Sequence, residues 1–142
     1  MATLNEYGQN AWGPLYRQDT FIPDQLIAGP LQLVTDTITI LTGATATYKR
    51  GTVLGRITAS GKYTLSLSTA TDGSEDPVAI LVDDVDATAA DVTAGIYVMG
   101  EFNATRITYD DSWTLADLKV ALRPHTIFLK DVVDAPVTVA TE

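Results

Sequence analysis

The chain has 142 residues and a hydrophobic fraction of 46%, which is typical of one folded domain. It contains no cysteine, which excludes disulfides and cysteine-ligated metal sites. Nine basic and 18 acidic residues give a formal net charge of −9, and so acidic a surface repels phosphate groups. We therefore expect no direct nucleic-acid partner and no membrane partner.

Residues 1–30 are predicted to form an extended arm, because they contain three prolines, three glycines and no sustained strand or helix period. They lack the regions of a signal peptide, so we expect a protein made in a cytoplasm. Two interpretations of the arm stay open. It packs back on its own domain, or it becomes ordered on a partner through aromatic anchors. The candidate anchors are Tyr7, Trp12, Tyr16 and Phe21.

From residue 31 the pattern becomes that of β-strands. Residues 31–41 contain threonines alternating with apolar and acidic side chains, and glycines flank the short runs 52–54 and 56–58. The turn signal at 59–62 leads into alternating apolar residues at 63–67. This arrangement predicts a β-hairpin.

The second half of the chain continues the β pattern. The continuous apolar run 78–82 predicts a strand buried on both faces, and 96–103 predicts a strand with a bulge at Gly100. Between them, the acidic and alanine-rich residues 83–91 predict a turn followed by a loop or a single helical turn. A last short strand is expected at 127–129.

One helix is predicted after Thr114, which can act as its N-cap with Asp117 three residues later. Leucines follow at helical spacing until Pro124 ends the run. With about seven strands, the fold class is a mainly β (α+β) compact domain with one short helix. We expect this domain over residues 31–130, followed by a flexible C-terminal tail at 131–142.

No group of residues has the pattern of a catalytic, metal or cofactor site. The single histidine, His125, is interpreted as a surface residue at the helix exit. Trp12 and Trp113 can stack on sugars or pack in a core, and both alternatives stay open. An acidic cluster lacks the spacing of a calcium loop, so a solvated turn is the favoured interpretation over a cation site. Its members are Asp83, Asp84, Asp86 and Asp91.

An ordered set of segments between residues 26 and 130 resembles the head decoration protein family of tailed phages. The segments are 26–29 (LIAG), 50–55 (RGTVLG), 59–63 (ASGKY), 71–74 (TDGS), 79–81 (AIL), 84–87 (DVDA), 97–103 (YVMGEFN), 121–123 (ALR) and 127–130 (IFLK).

The resemblance implies a non-enzymatic, cofactor-free protein on the outer surface of a virion capsid. It implies homotrimers at three-fold and quasi-three-fold positions, bound to the major capsid protein of the expanded head, which they stabilise against the pressure of the packaged genome. It also implies that the arm pairs with capsid-protein strands. The alternatives are another virion component, such as a tail or fibre part, and a glycan-binding β-domain.

Overall fold

The computed structural model of the protein describes residues 24–132. This part of the chain folds into eight strands, one α-helix and a short 3₁₀ helix, which confirms the predicted mainly β class with one helix. The strands are β1 (Val34–Ile40), β2 (Thr47–Tyr48), β3 (Val53–Arg56), β4 (Tyr63–Leu65), β5 (Pro77–Leu81), β6 (Val85–Asp86), β7 (Val92–Asn103) and β8 (Ile127–Lys130). The helix α1 spans Leu115–Leu122, and the 3₁₀ helix spans Arg123–His125.

Five strands close into a small barrel in the order β1-β4-β3-β5-β7, with β7 pairing back to β1. Every neighbouring pair is antiparallel except β1 and β4, which meet in parallel at the single register Ile40↔Tyr63. The eighth strand, β8, lies outside the barrel and pairs in parallel with the second half of β7, from Gly100 to Asn103. The strand β7 therefore belongs to the barrel at its start and to an extension of the sheet at its end.

The predicted hairpin is confirmed as β3 and β4, whose register pairs Leu54 with Leu65. Gly61 adopts φ +70° in the connecting turn, a conformation that favours glycine. The amides of Ile57 and Gly61 close the turn by donating to Lys62 O and Ile57 O, each at 2.8 Å. The residues that specify this hairpin are close together in the sequence, so the hairpin could be predicted without knowledge of the rest of the fold.

Strand β5 is buried on both faces, as its continuous apolar run predicted. Ile80 faces a cluster that includes Phe102 and the buried helix residues Leu118 and Leu122. Its neighbours along the strand face a second cluster, which β1, β3 and β7 also line. The core therefore has two parts, and α1 covers one of them.

Three predictions in the middle of the chain need correction. Residues 85–86 form the strand β6, which pairs with β2, instead of the predicted loop or helical turn. The strand β7 starts at Val92, four residues before the predicted start, because β1 pairs with it as far as Val92. The bulge lies at Val98 and not at Gly100, since the register steps from Val34↔Met99 to Thr35↔Tyr97.

Helix α1 begins where the sequence predicted. The Thr114 hydroxyl accepts a hydrogen bond from the Asp117 amide at 3.2 Å and donates to Asp117 Oδ2 at 2.7 Å. These bonds satisfy one free amide of the first turn. At the other end, Pro124 lies in the 3₁₀ helix that finishes the helical segment.

Candidate functional site

The four aromatic residues proposed as anchors, Tyr7, Trp12, Tyr16 and Phe21, lie outside the described residues. The structure does describe residues 24–30, the last part of the predicted arm. Leu26 is only 2% exposed and belongs to the core cluster under the helix. Residues 24–30 are therefore attached to the β-rich domain.

Residues 26–28 lie along one edge of the second half of β7. The Asn103 amide donates to Leu26 O at 2.8 Å, the Ala28 amide donates to Glu101 O at 3.0 Å, and Ile27 bridges Phe102 in an antiparallel sense. The first described residues therefore lie beyond the Asn103 end of β7.

The C-terminal strand β8 lies along the opposite edge of the same half of β7. Its register pairs Gly100 with Ile127 and Asn103 with Lys130, and the Ala104 amide donates to Lys130 O at 2.9 Å. Because β8 is parallel to β7 and residues 26–28 are antiparallel to it, both ends of the described chain lie at the same end of β7.

Glu101 connects these two flanking segments. Its Oε2 accepts a hydrogen bond from the Leu31 amide at 3.0 Å, and its Oε1 forms an ion pair with Lys130 Nζ at 2.7 Å. The hydrogen bond from Lys130, followed by the one from the Leu31 amide, lowers the pKa of Glu101 below its ordinary value. The side chain is ionised at neutral pH and holds the entry and exit of the domain together.

Exposed apolar side chains concentrate in the same region. Within residues 24–132, five of the six large hydrophobic side chains that are at least 36% exposed belong to segments flanking or following the stretch 99–103 of β7. The sixth, Val120, lies on α1. Exposed apolar side chains of this size are candidates for a protein–protein contact. The five are Ile27, Leu33, Val34, Phe128 and Val132.

Two arginines contact the first residues that the structure describes. We call residues 24–26, which lie within the predicted arm, the arm root. Arg50 Nε pairs with Asp24 Oδ2, and Arg106 Nη2 donates to Gln25 Oε1 at 3.1 Å. Neither these contacts nor the role of Glu101 were predicted from the sequence. The only available signal was an isolated acid within the apolar run of β7.

Three of the four aspartates of the predicted acidic cluster have separate partners, and Asp83 has none among the described residues. Asp84 accepts from the Arg50 amide, Asp86 from the Thr88 amide and hydroxyl, and Asp91 from the Thr42 amide. Between residues 24 and 132, no three histidine, aspartate or glutamate side chains are grouped so that they could hold a metal ion.

The remaining candidate residues have structural contacts. His125 Nε2 lies 3.0 Å from Asp76 Oδ1 at the helix exit. Trp113 packs against the core cluster under the helix and its ring nitrogen is buried, so its packing interpretation is the one the contacts support. Trp12 lies outside the described residues. In the described part of the chain, no helix is long and apolar enough to cross a membrane.

Comparison with known proteins identifies the family. The sequence model of the bacteriophage lambda head decoration protein D family matches residues 16–124, more than half of the chain. No curated protein matches it. The chain therefore belongs to the family of the bacteriophage lambda head decoration protein D, a family of structural capsid proteins and not of enzymes, and its role is phage capsid decoration.

Proposed function

We propose that the protein is a cement subunit of the phage head. It binds the major capsid protein on the outer surface of the expanded shell, as homotrimers at three-fold and quasi-three-fold positions. Bound there, it stabilises the shell against the pressure of the packaged genome. Of the predicted N-terminal arm, residues 1–30, the part before residue 24 is its capsid anchor, because residues 24–30 are attached to the domain.

The observation that carries the proposal is that both ends of the described chain lie at one end of β7. Exposed apolar side chains, Phe128 and Ile27 among them, lie on the segments that flank the same half of this strand. A protein whose arm and apolar side chains share one region can dock with both at once. An arm leaving from the opposite end would have to fold back around the domain to reach the same partner.

The arm suits strand addition to a partner sheet. An extended segment offers unpaired backbone groups to a sheet edge, and its side chains fill pockets beside that edge. Aromatic anchors supply a large share of the affinity in such contacts. We assign this role to Tyr7, Trp12, Tyr16 and Phe21.

Trimer formation multiplies the effect of each arm. Once one arm of a trimer is bound, the other two act at a high effective concentration, so modest single-arm affinity becomes firm attachment. A subunit that binds the expanded shell and not its precursor stabilises the expanded state by linkage. The net charge of −9 opposes non-specific association between decorated particles.

The test is co-sedimentation of the full chain with empty shells of the cognate major capsid protein, both expanded and unexpanded. We expect saturable binding to expanded shells, at three copies per three-fold site, and a higher melting temperature of the decorated shells. Binding to neither state, or saturation without a gain in shell stability, would contradict the cement function.

The arm is tested in the same assay by two variants. One lacks residues 1–23, which keeps the buried Leu26 in place, and one is the full chain with its four arm aromatics replaced by serine. Both should lose shell binding while keeping the circular dichroism spectrum of the unmodified chain. A variant lacking residues 133–142 is the control for loss of a terminal segment. Undiminished binding of both arm variants would refute the anchor role.

A further inference from the structure

Arg50 is fixed to the barrel by contacts that do not involve the arm. Its Nη1 donates to Val82 O at 2.7 Å and to the Tyr97 hydroxyl at 3.1 Å, and its own amide donates to Asp84 Oδ1 at 2.8 Å. The guanidinium therefore occupies a defined position at the barrel surface.

Asp24 connects this fixed guanidinium to the arm root. One carboxylate oxygen, Oδ2, pairs with Arg50 Nε, and the other, Oδ1, accepts from the Leu26 amide at 3.3 Å. The hydrogen bond from Arg50 lowers the pKa of Asp24 below its ordinary value of 3.8, so the carboxylate is charged at neutral pH.

The backbone turns sharply at the next residue. Gln25 adopts φ +55°, a left-handed conformation that is uncommon for a residue other than glycine. Arg106 holds its side-chain oxygen at 3.1 Å. On the domain side of this turn Leu26 is buried in the core, and on the arm side the ion pair fixes Asp24. These two attachments fix the backbone of residues 24–26, to which the arm is joined in sequence.

We propose that the Asp24–Arg50 pair is a positioning latch that aims the N-terminal arm at its binding site on the capsid. This inference rests on the proposed anchor function of the arm. The pair adds little to the stability of the fold, because its side chains are 30% and 56% exposed and ion pairs so exposed contribute little. Its effect is on binding, since an arm restricted to one direction loses less conformational freedom when it docks.

The size of the effect follows from the number of arms. Loss of an exposed ion pair lowers the affinity of one arm by about two- to fivefold. Three arms acting together turn this into a loss of about ten- to a hundredfold for the trimer. The loss should shrink at high ionic strength, where the pair is already screened.

The test compares Asp24→Asn with Asp24→Glu in the full chain. The asparagine keeps an oxygen for the Leu26 amide and removes the charge, whereas the glutamate keeps the charge. The control is Asp76→Asn, which disrupts the His125 pair at an aspartate that is 57% exposed, almost the same as Asp24. Affinity for expanded shells is measured by titrated co-sedimentation, and fold stability by urea denaturation.

A spin label reports on the arm directly. The chain contains no cysteine, so a Thr20→Cys substitution gives a single labelling site four residues before Asp24. We expect Asp24→Asn to increase the mobility of the label and to weaken shell binding about ten- to a hundredfold, while the urea midpoint falls only slightly. Asp24→Glu should restore part of the binding, and Asp76→Asn should match the unmodified chain.

Several results would overturn the latch. The latch is contradicted if the Asp24→Asn variant binds expanded shells as tightly as the unmodified chain, or more tightly. It is also contradicted if the spectrum of the spin label does not change. The full chain with its four arm aromatics replaced by serine separates the two hypotheses. If that variant loses binding while Asp24→Asn retains it, the anchor function stands and the latch is wrong. If the serine variant binds normally, both are wrong.

Discussion

The carboxylate of Glu101 occupies the space that a side chain on Gly29 would need. A Cβ atom at position 29 would lie 1.9 Å from Glu101 Oε2 and 2.4 Å from its Cδ. The carboxylate reaches this position because it accepts from the Leu31 amide and pairs with Lys130. The absence of a side chain at residue 29 is thus a condition for the contact that joins the two flanking segments.

This contact predicts that a glycine-to-alanine substitution affects the stability of the fold differently at positions 29 and 43. Gly29→Ala should lower the urea midpoint, because the new methyl group displaces the Glu101 carboxylate from its two partners. Gly43→Ala is the control, since its Cβ would meet nothing closer than Ala46 at 3.7 Å. It should leave the midpoint unchanged or stabilise the fold by about 0.4–1 kcal/mol. Equal midpoints for the two variants would contradict the role of Gly29.

The elements that the sequence predicted correctly are those specified by neighbouring residues. The turn at Gly61 and the cap at Thr114 each depend on residues within three positions of one another. The strands β2 and β6 have two residues each and exist only because they pair with one another. No periodicity can be detected in so short a run.

The contacts of the candidate site could not be predicted in this way, because they join residues that are far apart in the sequence. The Arg50–Asp24 pair joins residues 26 positions apart, and Glu101 accepts from an amide 70 positions away. Such pairs are set by barrel closure, which follows from the packing of the whole sheet. The arm stays a prediction, because residues 1–23 lie outside the described residues. The structure shows how residues 24–30 contact the domain.

Two phenylalanines on neighbouring strands should separate stability from binding. Phe102 is fully buried and its ring lies 5.3 Å from that of Tyr97, whereas Phe128 on β8 is 39% exposed. Phe102→Ala should destabilise the fold by about 3–5 kcal/mol, because it leaves a cavity in the core. Phe128→Ala should cost less than about 1 kcal/mol of stability and lower the affinity for expanded shells instead.

Both predictions are checked by urea denaturation and shell co-sedimentation of the same preparations of the two alanine variants. The interpretation of Phe128 as an interface residue would be wrong if its alanine variant bound shells normally. The assignment of Phe102 to the core would be wrong if its alanine variant unfolded at the midpoint of the unmodified chain.

The helix cap gives a prediction with a conservative control. Thr114→Ala removes the oxygen that accepts from the Asp117 amide and should destabilise the protein by about 1 kcal/mol. Thr114→Ser keeps that oxygen and should differ from the unmodified chain by a few tenths of a kcal/mol. Chemical denaturation of the three proteins measures the difference. If alanine and serine at this position gave equal stability, the cap would not stabilise the helix.

The loss of fold stability at acidic pH should come in part from protonation of Asp91. Its Oδ2 pairs with Lys62 Nζ at 2.5 Å and its Oδ1 accepts from the Thr42 amide at 2.8 Å. The hydrogen bond from Lys62, and then the one from Thr42, lower the pKa of Asp91 below the ordinary value of 3.8. A carboxyl group whose pKa is lower in the folded state stabilises the fold at every pH above its unfolded value. That contribution is lost as the pH falls through the folded value.

Asp91→Asn should therefore lower the urea midpoint at pH 7 and reduce the dependence of that midpoint on pH in the acid range. Below the folded pKa the charge is absent from both proteins, so their stabilities should converge there. Asp83→Asn is the control, because Asp83 forms no hydrogen bond or ion pair with another residue of the described chain. Its midpoint should follow that of the unmodified chain at every pH. A difference between the Asp91→Asn variant and the unmodified chain that stayed constant from pH 7 down to pH 2 would show that the Asp91 charge contributes nothing. The effect of the substitution would then come from its hydrogen bonding or packing alone.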